Sequence, residues 1–190
     1  LDAHDAAFGP DRLMGDGDTL DCGAFRADAV YTPGHTSNHL CFELAGTGLL
    51  FSGDHVMSGS TVVIGPPDGD MAQYLESLEA VRDRRPRRIA PGHGPMIDDP
   101  AAVLDEYLAH RQAREAQILA ALGDAGEPVT AEQLVARIYV DVPDRLHPVA
   151  RFSVWAHLRK LAAERRASTA ELDNIDAPWG LVGSPEGRLS

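Results

Sequence analysis

TPGHTSNHL, residues 32–40, sets a proline, a glycine and two histidines between two apolar runs, ADAVY at 27–31 and LCFEL at 40–44. Both runs read as strands, and a third, Gly48–Ser52, pairs with the second through a turn at Ala45–Thr47. Glycine lets the backbone bend sharply at a strand end, so His35 is delivered to the edge of a sheet. Two more stretches repeat the arrangement. SGDH at 52–55 closes the third run, and PGHG at 91–94 follows a short apolar run at Arg87–Ala90. Imidazole and carboxylate are the donors that hydrolytic zinc accepts, and a carboxylate shared by two ions is what a two-metal hydrolytic centre needs. One histidine beside a glycine is ordinarily a loop residue. Three such elbows, in the order His35, Asp54, His93, point at one site above the strand ends.

Helical spacing appears first at Met71, Tyr74, Leu75, Leu78 and Val81, with Asp70 as the N-cap. Asp99-Pro100 opens a long helix expected to reach about Leu122. Gly123–Pro128, GDAGEP, reads as a linker-like break. Thr130 and Gln133 then form a capping box for a helix through Tyr139. Another helix starts at His147-Pro148 and carries Val154, Leu158 and Leu161 on one face. Ala167–Leu172 and Trp179–Val182 are expected to pair as a hairpin. Helix, turn, helix and hairpin is the outline of a winged helix-turn-helix.

Composition narrows the function classes. The 190 residues carry a net charge of −12 and 44% apolar residues, an ordinary globular balance that disfavours wholesale phosphate binding. No run of 18 apolar residues occurs, so no membrane partner is expected. The opening LDAHDAAFGPDR is charged, so no signal peptide is expected. Two cysteines, Cys22 and Cys41, make no disulfide framework, and a reducing cytoplasm is the expected compartment.

TPGHT, SGD and PGHG resemble the second half of the ligand pattern of the metallo-β-lactamase superfamily. The resemblance continues through YLAHRQAREAQIL at 107–119 into the tail, covering about Asp18 to Val182. It is similar to the subgroup with an appended winged helix, which includes lactamase-β-like endoribonucleases. The resemblance implies an α+β fold: the C-terminal half of an αββα sandwich over 1–98, a connecting helix over 99–122, and a winged helix over 123–190. It also implies a hydrolase for an ester, thioester or phosphodiester, with a small molecule or RNA as substrate. Two zinc ions would activate water, with His35 on the first, His93 on the second, and Asp54, the catalytic carboxylate, bridging both.

The superfamily's first motif, His-x-His-x-Asp-His, is absent before TPGHT, and Asp2-Ala3-His4-Asp5 does not replace it. Two protein ligands per ion are too few for a tight catalytic site, so this chain alone is not expected to be a competent enzyme. It starts with Leu1 rather than Met, and the expected reading is a C-terminal fragment of a longer hydrolase. The alternatives are a winged-helix nucleic-acid-binding module and a non-catalytic relative that holds no metal. A half-domain exposes a sheet edge and a core face, so self-association is expected.

The remaining candidates read more plainly. A histidine at the place of His39 looks usual for the subgroup, and it is expected to pack beside the ligands. His55 points away from Asp54 if the segment stays extended, toward a hydrogen bond or solvent. His110, His147 and His157 are packing or surface residues, and His4 belongs to the terminus. The arginines of 82–88 suit a helix end, with phosphate steering as the alternative. Arg151, Arg159, Lys160, Arg165 and Arg166 are the basic residues available for a groove, yet with the tail often a lid in this superfamily, duplex DNA binding is not expected.

Overall fold

A computed structural model describes residues 9–183; Leu1 and the stretch 2–5 with His4 lie outside them. Five strands form one sheet in sequence order: β1 Thr19–Asp21, β2 Arg26–Tyr31, β3 Leu40–Leu44, β4 Leu49–Gly53 and β5 Arg88–Pro91. The first four are antiparallel neighbours. β5 runs parallel to β4, because the chain between them crosses over through helix α1, Met71–Arg84. Asp70 caps α1, its carboxylate accepting from Gln73 N–H at 2.9 Å.

The two faces of the sheet differ. Residues alternate between faces along a strand, so Cys41 and Leu50 point one way while Phe42 and Phe51 point the other. On the first face Val30, Cys41, Leu50 and Ile89 join Met71, Tyr74, Leu78 and Val81 of α1 in one apolar core. On the second face Ala27 and Ala29 are buried, while Phe42, Leu44 and Leu49 are only half-buried. Ala29, Phe42, Phe51 and Ala90 stand in one cross-strand row, with Leu44 and Leu49 paired beside them. Phe42, Leu44, Leu49 and Phe51 belong to neither apolar core of the protein, and Phe51 is 44% exposed. One sheet with helices on a single side is half of an αββα sandwich.

Helix α2, Pro100–Ala125, is the spine of the molecule. Leu104, Tyr107 and Leu108 enter the first core, while Ile118 and Leu122 enter a second. The expected break at Gly123–Pro128 is corrected: Gly123 to Ala125 stay helical, and Gly126 ends the helix in the left-handed region at φ 66°. Helix α3, Ala131–Ile138, has the capping box expected of Thr130 and Gln133. Helix α4, His147–Ala163, follows a short 3-10 turn at Asp144–Leu146. The expected hairpin contracts to two-residue strands, β6 Ala167–Ser168 and β7 Gly180–Leu181, with Val129 bridged to Trp179. Trp179 is wholly buried among Val129, Leu134, Leu158 and Leu161. Among the described residues no helix is long and apolar enough to cross a membrane.

Candidate metal centre

The three elbows lie at one edge of the sheet, where β2, β4 and β5 end, and Asp54 and His93 are the two candidates that touch. Gly34, at φ 129°, passes so close to α1 that a Cβ there would lie 2.3 Å from the Tyr74 backbone; only glycine allows this approach. The next residue, His35, sends Nδ1 to the Val63 carbonyl at 2.9 Å. A carbonyl only accepts, so Nδ1 carries the proton and Nε2 is left with a free lone pair. A histidine held in this way is prepared to ligate a metal. Gly53 turns the chain at φ 51° after β4, and Asp54 follows, half exposed. Its Oδ1 stands 3.4 Å from Nε2 of the exposed His93. Gly92 makes room for that carboxylate, since a Cβ there would be 2.9 Å from Oδ1.

His39 lies between these groups. Its Nδ1 pairs with Thr32 Oγ1 at 2.8 Å, and its ring faces His35 at 6.5 Å and His55 at 5.9 Å between centroids. Burial, then the neighbouring His35, push its pKa down, against a smaller upward pull from Asp54. His55 departs from expectation. It is fully buried, with its ring edge-on to Tyr74 at 5.1 Å and no hydrogen-bond partner on either nitrogen. The bend at Gly53 breaks the alternation that would have carried it outward. Burial holds it neutral, its pKa pushed down to about 3.

His35, Asp54 and His93 have the donor chemistry of a zinc site, and the tautomer of His35 suits one. Their number does not complete it. Among the described residues no group of three or more His, Cys, Asp or Glu side chains is arranged to hold a metal ion.

Comparison with known proteins agrees with this picture. Residues 2–93 match the model of the metallo-beta-lactamase superfamily, and residues 130–176 match the beta-lactamase associated winged helix domain. The two matches show a metallo-beta-lactamase superfamily domain followed by a beta-lactamase associated winged helix domain. It is 38% identical over 136 residues to a beta-lactamase-like protein 2 homolog of Drosophila melanogaster, covering 71% of this chain and 45% of that protein. It is 31% identical over 188 residues to an atrochrysone carboxyl ACP thioesterase of Aspergillus chevalieri, covering 92% and 58%. The fold resembles that of a metallo-beta-lactamase family protein from Thermus thermophilus, with a TM-score of 0.76 at 26% identity, over 88% of this chain and 53% of that one. The chain thus spans about half the length of the relatives it matches.

Sequence reading missed the residues that hold the segment following Asp54 from behind. Tyr107 and Arg111 on α2, and Ser153 on α4, all reach the irregular segment between β4 and α1. The only sequence signal for the first two is their place in YLAHRQAREAQIL, whose resemblance to the family names no role.

Proposed function

We propose that this chain supplies one half of the metal-binding residues of a hydrolase acting on an ester or thioester, with zinc held by His35, Asp54 and His93 together with donors from outside the chain. A two-metal centre, when loaded, supplies a hydroxide at neutral pH. This chain's own part is to present donors: His35 through the Nε2 that the Val63 carbonyl leaves free, and Asp54 and His93 as a pair on facing strand ends. The observation that carries the reading is the hydrogen bond from His35 Nδ1 to the Val63 carbonyl, at the same edge of the sheet as the Asp54–His93 pair. The thioesterase among the relatives favours acyl substrates over RNA. Cys22 and Cys41 are both free, which suits a reducing compartment.

The partly exposed second face of the sheet fits the same proposal. Phe42 and Phe51 call for a second sheet, supplied by the rest of the hydrolase or, for this chain alone, by a second copy. Phe51→Asp should therefore turn an associating chain into a monomer on light scattering.

A nucleic-acid-binding tail has less support. Arg151 is paired with Asp176 at 2.9 Å and Arg159 with Asp173 at 2.6 Å. Lys160 and Arg166 both hold Glu115, at 2.7 and 2.8 Å. Cations already paired with carboxylates release few counterions on meeting phosphate.

The test is the longer protein containing this chain, loaded with zinc and assayed on an acyl thioester, an RNA oligomer and nitrocefin. Thioester turnover lost in His35→Ala and in Asp54→Ala is the expected result. Inactivity on all three substrates at full metal loading, or undiminished rates in either variant, overturns the reading.

A further inference from the structure

Residues 54–70, between β4 and α1, contain neither helix nor strand, yet they begin with Asp54 and include the carbonyl that orients His35. Buried irregular backbone must find partners for its N–H and C=O groups outside regular ladders. Here the partners come from two distant helices. The Tyr107 hydroxyl accepts from Met57 N–H at 3.0 Å and shares its own proton between the carbonyls of Met57 and Ser60, at 2.8 and 2.5 Å. Arg111, only 3% exposed, donates to the Val62 carbonyl and lies 5.3 Å over the Tyr74 ring. Ile64 N–H donates to Ser153 Oγ at 3.4 Å. The side chains of Val56, Val62 and Ile64 pin the same stretch into the first core.

The decisive geometry is that of the peptide plane. A peptide's C=O and the next residue's N–H lie in one rigid plane. Val63 C=O and Ile64 N–H are therefore one unit: its oxygen accepts from His35 Nδ1 and its N–H is held by Ser153. The peptide before it has its oxygen held by Arg111. Two consecutive planes are thus fixed from α2 and α4, and the second presents its oxygen to His35.

We propose that Arg111 and Ser153 are positioning residues for the candidate centre, acting through the Val62–Val63 and Val63–Ile64 peptides to hold His35 in its Nδ1-protonated form with Nε2 free. This rests on the reading of His35 as a ligand. It gives the winged-helix part of the chain a task in the hydrolase half: α4 supports the face of the loop that sets the ligand's orientation. Neither residue touches substrate or metal.

The experiment reads tautomers directly in this chain without metal, by two-bond proton–nitrogen correlation at about pH 8.5, where imidazoles are neutral. Wild type should show His35 as a single Nδ1-protonated ring. Ser153→Ala and Arg111→Met should each lower the ratio of Nδ1- to Nε2-protonated His35 by roughly fivefold, the equilibrium worth of one ordinary hydrogen bond. Arg111→Lys, which keeps a donor on a long stem, should restore most of the ratio. His147, whose Nε2–H serves the carbonyls of Tyr139 and Val142, should not change in any variant. A merely structural role would lower the melting temperature and leave His35 in one tautomer, and that result overturns the proposal. Ser153→Ala alone decides the matter if Arg111→Met does not fold. Since no metal is present, the outcome is independent of whether the longer protein proves to be a hydrolase.

Discussion

His157 makes the stability of this protein depend on pH in a way that can be worked out in advance. It lies on α4 with no exposed surface, and neither ring nitrogen has a hydrogen-bond partner. Arg111, Arg114 and His110 face it from α2, and Lys160 stands near it on α4. Glu115 Oε2 is 4.0 Å away, but that carboxylate is already occupied by Lys160 and Arg166. Burial first, and the surrounding cations second, push the pKa from 6.5 down to about 3. The unfolded chain takes up this proton near pH 6.5, while the folded chain refuses it until about pH 3. Stability is therefore full above pH 6.5 and falls progressively as the pH drops through that window. At pH 5 the loss attributable to this one ring is about 2 kcal/mol. For a chain of this size that is roughly 4–8 °C in melting temperature. The assay compares melts at pH 7.5 and pH 5 for wild type and His157→Leu. His55, also held neutral by burial, titrates in both and cancels in the difference. The drop in the variant should be smaller by that amount. Equal drops would show that His157 binds its proton alike in the folded and unfolded states, and would refute the reasoning.

Three further outcomes follow from particular contacts. Gly34→Ala places a Cβ on the Tyr74 backbone at a φ of 129° and should cost about 4 kcal/mol or more; an unchanged melting temperature would show that α1 does not approach so closely. Thr130→Ala removes one half of the α3 capping box and should cost about 1 kcal/mol, read by urea denaturation, with no loss meaning that the cap is not formed. Trp179→Ala empties the centre of the winged-helix core and should cost about 3–5 kcal/mol, checked by the same denaturation series, where a cost below 1 kcal/mol would contradict its full burial.

How far the sequence reveals this fold depends on whether the deciding interaction is local. The strand runs and the helix starts at Asp70, Asp99 and Thr130 were legible because alternation and capping act over two to four residues. β1 was not, since TLD offers one apolar residue and takes its register from β2. α2 outran its expected end because a glycine inside a helix costs only about 1 kcal/mol, and Gly123 sits against Leu181 while Gly126 makes the true stop. The site divides in the same way. His35, Asp54 and His93 stood out as candidates because each follows its own glycine at a strand end. His55 was misplaced because the alternation rule carries no information about the left-handed bend at Gly53. The support from Tyr107, Arg111 and Ser153 was invisible because those residues meet their partners across some fifty to ninety positions.

The arginines of 82–88 show the same limit from the other side. In sequence they form a cationic cluster available to a phosphate; in space Arg82 meets Asp105, Arg84 meets Glu43 and Arg88 meets Asp98. Each carboxylate comes from a different element: the helix that follows, the neighbouring strand, and the loop after β5. A charge cluster in sequence therefore measures potential only until the fold supplies its counterions. Among the described residues the exposed Arg85 and Arg87 gain no such partner, so the fold offsets three of the five charges in this cluster, whereas Arg151, Arg159 and Lys160 of α4 are all paired.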